Sequence, residues 1–136
     1  MPQIRISQVA TLLGVSDDTV RRWVDQGRLS AHKDDANRLV VEGSAAATLA
    51  VELAAEVDHD ALDPGSHRRS ARNHLTGIVT RIVSDPVMSQ VELQCGANRV
   101  VSLISTEAVN DLGLEVGSIA TAVIKATNVS LEGAPA

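Results

Sequence analysis

The hydrophobic period of this chain changes once, and that change constrains the fold more than any other feature. Up to about Val57 the apolar residues recur at helical spacing; beyond about Leu75 they alternate with polar ones, as in half-buried strands. Between these parts runs Asp58-His59-Asp60-Ala61-Leu62-Asp63-Pro64-Gly65-Ser66-His67-Arg68-Arg69, polar, aperiodic and with a Pro-Gly pair, which reads as a linker. The 136 residues are therefore expected to hold two very small domains, 1–57 and 70–132, joined by 58–69.

Composition narrows what the halves contain. Trp23 is the single aromatic residue, so the cores must be built from Val, Leu, Ile and Ala, without stacking platforms for single-stranded nucleic acid. Cys95 is the only cysteine; it continues an apolar alternation and reads as core rather than as a reactive thiol. His32, His59, His67 and His74 lack ligand spacing, so no cation site is expected. The sequence shows no nucleophile–base pair or cofactor loop, which argues against an enzyme. Residues 1–7 lack the apolar run of a signal peptide, and no apolar stretch approaches the roughly 18 residues of a membrane span. A cytoplasmic protein with no membrane partner is expected.

In the first half, Ser7 is expected to cap a helix through residue 13 with Val9, Leu12 and Leu13 on its apolar face. Gly14 permits a tight turn and Val15 plugs it. Ser16 caps a second helix, 17–26, with Asp17 and Asp18 in the first turn, where the helix dipole favours acids. Val20, Trp23 and Val24 share one face of it, Arg21 and Arg22 point out, and Gly27 ends it. Two short extended runs around Asp34-Asp35-Ala36-Asn37 read as a hairpin, and Ser44 is expected to cap an Ala-rich third helix running to about residue 57. Helix, Gly-containing turn and capped helix form the pattern in which the second helix enters the major groove. Ser16, Thr19, Arg21 and Arg22 are the candidates to reach DNA, with Lys33 and Arg38 on the hairpin for phosphate. The charge speaks against strong non-specific binding: the chain carries −5, and six Lys and Arg against eight Asp and Glu leave −2 over 1–56. The cations Arg21, Arg22, Arg28, Lys33 and Arg38 nevertheless cluster on the second helix and hairpin.

The runs Ile6-Ser7-Gln8-Val9-Ala10, Gly14-Val15-Ser16-Asp17-Asp18-Thr19-Val20-Arg21-Arg22-Trp23 and Gly27-Arg28-Leu29 resemble the winged helix-turn-helix of the MerR and excisionase families, over roughly residues 4–42. The resemblance implies that the second helix reads double-stranded DNA and that the hairpin is a wing.

In the second half, Val91, Leu93 and Cys95 alternate with Gln90, Glu92 and Gln94, and Gly96-Ala97-Asn98 turns the chain into 99–104. Residues 75–83 and 119–124 read as further strands, and Val129 and Leu131 suggest a last one. Ser105 caps a helix over 106–112, with Glu107 in its first turn and Gly113 at its end. The expected class is α+β, with the helical head followed by a small barrel of the oligonucleotide/oligosaccharide-binding type. From residue 70 onward the only cations are Arg72, Arg81, Arg99 and Lys125, and Arg72 and Lys125 lie at strand ends. The Arg72 fork suits a tetrahedral oxyanion. Ser70 and Asn73 add neutral donors, and the helix start at Ser105 adds N–H groups.

Ser70-Ala71-Arg72-Asn73 with Gly77, Leu112-Gly113-Leu114 with Gly117, and Val123-Ile124-Lys125-Ala126 resemble the molybdate-binding Mop, or TOBE, domain, over about residues 69–132. The resemblance implies a five-stranded barrel that assembles into homo-oligomers, dimeric or higher, with molybdate or tungstate held between subunits. By position, Ser70, Arg72 and Lys125 come from one subunit, with Ala71, Asn73 and Ala126 completing the motifs; Ser105 and the helix start near Ala108 come from the neighbour. The family often has Ser where Ala108 stands, so one side-chain donor is missing. The expectation is a molybdate- or tungstate-responsive transcriptional regulator. The alternatives are a molybdate storage or buffering protein, and an excisionase-like DNA binder whose barrel only oligomerises. Arg68 and Arg69 read as a solvated basic pair.

Overall fold

The computed structural model describes residues 2–63, 65 and 68–135; Pro64, Ser66 and His67 of the expected linker lie outside the described residues. The chain divides into two compact units, Met1–Val57 and Asp58–Ala136, each with its own apolar core. Among the described residues no helix is long and apolar enough to cross a membrane.

The first unit runs β1 (Gln3–Arg5), α1 (Ile6–Leu13), α2 (Asp17–Asp25), β2 (Ala31–Lys33), β3 (Leu39–Glu42) and α3 (Gly43–Ala55). β1 and β2 flank β3 in an antiparallel three-stranded sheet. This sheet corrects two expected caps. The chain passes from β1 straight into α1, so Ser7 lies inside the helix; Arg5 takes the cap position and donates its N–H to Gln8 Oε1 at 3.0 Å. Likewise α3 starts directly after β3, with Glu42 rather than Ser44 at the cap, and the Gly43 N–H donates to the Pro2 carbonyl at 2.9 Å. It ends at Ala55. The apolar stripe of α1 is Ile6, Val9, Ala10 and Leu13, spaced three and four apart. Leu12 falls outside it and is 73% exposed, contrary to expectation. Ser16 caps α2 as expected, accepting the Thr19 N–H at 3.1 Å. Gly14, at φ 69°, makes the turn, and the Val15 N–H bonds the Ala10 carbonyl at 3.0 Å. Val9, Val20, Trp23, Leu29, Val41 and Leu49 close the core.

The second unit holds β4 (Asn73–Ser84), β5 (Met88–Cys95), β6 (Asn98–Ser105), α4 (Thr106–Leu112) and β7 (Ile119–Ile124), in the antiparallel order β6-β5-β4-β7. β4 is shared: its first half pairs with β7, its second with β5, and a bulge between Val79 and Arg81 separates the two registers. Val79, Val91, Leu93, Cys95 and Val109 form the core. Cys95 is buried as expected, and burial pushes its thiol up. Four strands pair among the described residues. The segment expected to supply a fifth leaves the sheet in a 3-10 turn at Ala126–Asn128, closed by the Asn128 N–H on the Lys125 carbonyl at 2.9 Å. Beyond it Leu131 is 91% exposed. An added strand needs an edge to pair with, and this turn carries the backbone away from β7.

At Gly77 a Cβ would strike the Gln94 carbonyl oxygen and lie 2.7 Å from Cys95 Sγ, so the curl of β4 over β5 requires the missing side chain. Gly77→Ala is expected to destabilise the second unit by roughly 1–3 kcal/mol, the usual range for overpacking. At about 4–8 °C per kcal/mol for a domain of this size, calorimetry resolves the shift; an unchanged melting temperature would show that the strands part without cost.

Candidate functional site

The pairing Asn73↔Ile124 brings the start of β4 beside the end of β7, so Arg72, the residue before Asn73, and Lys125, the residue after Ile124, lie at the same sheet end. Arg72 and Lys125 are both exposed there, and neither forms an ion pair among the described residues. Two cations with uncommitted donors at one sheet end favour a small polyvalent anion. Ser70 is exposed beside them. Asn73 and Ala71 serve the scaffold instead: Asn73 Nδ2 donates to the Ile124 carbonyl at 3.2 Å, and Ala71 is buried.

Ser105 and Ala108 lie at the other end of the 12-residue β4. Ser105 pairs with Met88, the Thr106 N–H bonds the Val87 carbonyl at 2.9 Å, and Thr106 Oγ1 donates to the Asp85 carbonyl at 2.7 Å. The Ala108 N–H is already taken, donated to Ser105 Oγ at 3.0 Å; the hydroxyl hydrogen of the exposed Ser105 is free to be offered to a ligand. The Met88 and Val87 amides hold the Asp85 carboxyl below its usual range, fixing the turn that faces this corner. One copy of the chain therefore carries two separated groups of donors and does not bring them together.

A third feature departs from the sequence-based expectation. Arg69 is a partly buried ion-pair partner: it grips both oxygens of Asp63, with Nη1 donating to Oδ2 at 3.0 Å and Nη2 to Oδ1. Asp63 is only 4% exposed and also accepts the Gly65 N–H at 3.1 Å. The Arg69 guanidinium holds the Asp63 carboxyl below its usual range. His74 Nδ1 stands 3.7 Å from Asp63 Oδ2, and its Nε2 donates to the Ala71 carbonyl at 2.7 Å. Opposite charges on either side of a Pro-Gly pair were the only sequence signal for this cluster.

In the first unit, Arg21 and Arg22 are exposed on α2 and free of ion pairs among the described residues. Ser16 and Thr19 share a hydrogen bond at 3.0 Å, so both hydroxyls are partly committed to the cap. Lys33 is exposed on the hairpin. Arg38 is not free: its Nε lies 3.1 Å from Asp34 Oδ2, while Asp34 Oδ1 accepts the Ala36 and Arg38 N–H groups at 2.9 Å each. The Arg38 N–H leads in holding the Asp34 carboxyl below its usual range, and this carboxylate organises the hairpin turn.

Comparison with known proteins finds two family models on the chain: the TOBE domain over residues 69–131 and a helix-turn-helix domain over residues 4–45. Molybdenum-pterin-binding protein 3 of Clostridium pasteurianum is 41% identical over 63 residues, 46% of this chain and 93% of that protein. Molybdenum transport protein ModE of Herbaspirillum seropedicae is 40% identical over 67 residues, 48% of this chain but only 25% of ModE. Among solved structures, a molybdate binding protein from Sporomusa ovata is 32% identical with a TM-score of 0.47, covering 48% of this chain and 98% of that one. The chain belongs to the TOBE-domain family, and carries that domain behind an N-terminal helix-turn-helix domain.

Proposed function

We propose that this chain is a molybdate-responsive DNA-binding regulator: residues 1–57 are a winged helix-turn-helix head, 58–69 a linker, and 70–132 a barrel that binds the oxyanion. The observation that carries the reading is the juxtaposition of Arg72 and Lys125, exposed and unpaired among the described residues, by the Asn73↔Ile124 register. The names of the relatives supply the ion, and tungstate, a dianion of the same shape, is the expected second ligand. Ser70, Arg72 and Lys125 bind from one subunit; Ser105 donates from another.

Two features support an oligomer. The donor groups stand at opposite ends of β4, so a complete site needs a second copy. The second unit also leaves the large apolar side chains of Ile78, Leu103, Leu112, Val116, Ile119 and Leu131 exposed, which a second copy would cover. In the assembled state we expect residues 129–132 to add the fifth strand of the barrel. A closed symmetric oligomer then presents paired heads to DNA, and anion at the interface changes DNA affinity through its different affinity for the two arrangements.

The direct test is titration calorimetry of the full chain with sodium molybdate, with sulfate as control, followed by DNA-binding measurements with and without molybdate. Saturable binding of molybdate but not sulfate, together with a ligand-dependent shift in DNA affinity, is the expected result; no molybdate heat would sink the reading. The acidic head favours storage as the second reading, and molybdate binding with no DNA binding at low salt would select it. For the head, replacing Arg21 and Arg22 together by alanine is expected to reduce the salt slope of DNA binding by about 0.9 for each phosphate these side chains neutralise. Anisotropy titrations at several salt concentrations measure it, and an unchanged slope would remove these arginines from the interface.

A further inference from the structure

The segment that carries Arg72 has little to hold it. Residues 70–72 precede the first paired position of β4, Asn73, so no ladder fixes them. Among the described residues, the one polar fastening on these three is the His74 Nε2 hydrogen bond to the Ala71 carbonyl, at 2.7 Å. His74 in turn faces Asp63, and Asp63 grips Arg69, the residue immediately before Ser70. The oxyanion-binding segment is thus held from both sides by groups that converge on one buried carboxylate.

We propose that Asp63, Arg69 and His74 form a latch that positions residues 70–72 for the anion, with His74 as its principal positioning residue. The inference rests on the oxyanion reading of Arg72. The chemistry of each contact is defined. A carbonyl only accepts, so the proton must sit on His74 Nε2. The contact of Nδ1 with Asp63 at 3.7 Å is beyond hydrogen-bond length, so the ring borders the carboxylate and is held by its Nε2 bond. The Arg69–Asp63 pair is bidentate, the geometry that fixes direction as well as distance. Because both Asp63 oxygens are engaged and the group is buried, it does not compete with the incoming anion for Arg72. It holds in place the two residues that bracket the binding segment. Ordering the segment before the ligand arrives removes an entropy cost that the ligand would otherwise meet.

The test uses the full chain and sodium molybdate. His74→Ala and Asp63→Asn are each expected to weaken molybdate affinity roughly tenfold or more, the scale of removing one charge-assisted or buried hydrogen bond. His74→Gln places an amide N–H where Nε2 stood and is expected to recover most of the affinity. His74→Asn, whose amide reaches only the Nδ1 position, is expected not to. Melting temperatures of the same variants separate positioning from folding. Wild-type affinity in His74→Ala and Asp63→Asn would overturn the latch, as would tighter binding in Asp63→Asn. So would an affinity loss that follows melting temperature alike in the Gln and Asn variants. If the wild-type chain binds no molybdate, the oxyanion reading fails and the latch with it; if it binds and these variants bind equally, only the latch fails.

Discussion

Replacing Arg72 and Lys125 together by alanine is expected to abolish molybdate binding, with each single substitution lowering affinity roughly 10- to 100-fold. A hydrogen bond to a charged group contributes about 1.5–3 kcal/mol net, and each 1.4 kcal/mol is a factor of about ten in affinity. The two residues are exposed and free of ion pairs among the described residues. Their removal therefore leaves no buried partner unsatisfied and should leave the melting temperature nearly unchanged. Arg72→Lys separates charge from geometry: the charge stays but the planar fork is gone, so an intermediate affinity is expected. Arg81→Ala is the control for net charge, since Arg81 is exposed further along β4, past its bulge. Equal affinity in wild type and both single variants would dismiss this sheet end as the anion site. A loss in Arg81→Ala as large as in Arg72→Ala would reduce the effect to long-range electrostatics.

What the sequence revealed follows the range of the interactions involved. Caps made by near neighbours were legible: Ser16 on the Thr19 N–H and Ser105 on the Ala108 N–H are contacts three residues apart. The caps expected at Ser7 and Ser44 fail for a non-local reason. Three residues, Gln3–Arg5, become a strand only because β3 lies some forty positions on in the chain, and pairing there shifts both helix starts. Arg72 and Lys125 were legible as cations at strand ends; their closeness needed the Asn73↔Ile124 register. The Asp63–Arg69–His74 cluster was not legible, because it depends on how the chain folds back across residues 63–69 and on a histidine with no ligand spacing. The missing fifth strand has the same cause in reverse: alternation in Val129 and Leu131 marks a strand-competent segment, but pairing requires an edge the turn at Ala126–Asn128 does not offer it.

The other large effect is expected in the head, where Trp23→Ala should unfold the first unit while the second stays folded and still binds molybdate. Trp23 is the only aromatic residue of the chain, and it sits nearly buried among Val9, Val20, Leu29 and Leu49. Its carbonyl accepts the Arg28 and Leu29 N–H groups at 2.9 and 3.3 Å, closing the end of α2. The Arg28 guanidinium lies 5.8 Å from its ring centroid and also meets Glu56 Oε1 at 3.2 Å, tying the residues after α3 to the same spot. Truncating a buried Trp costs about 3–5 kcal/mol. A unit of this size, at roughly 0.05–0.15 kcal/mol per residue, has only about 3–9 kcal/mol to lose. The core otherwise consists of small aliphatic side chains, none able to expand into the space left. Trp23→Phe keeps most of the volume and is expected to retain a folded, weaker head. The two units have separate cores, so calorimetry of Trp23→Ala should show the loss or sharp lowering of one transition and the persistence of the other. DNA binding should vanish while the molybdate titration is preserved in the second unit. A single transition that shifts as a whole would show instead that the two units fold as one, and molybdate binding abolished along with the head would place part of the anion site there.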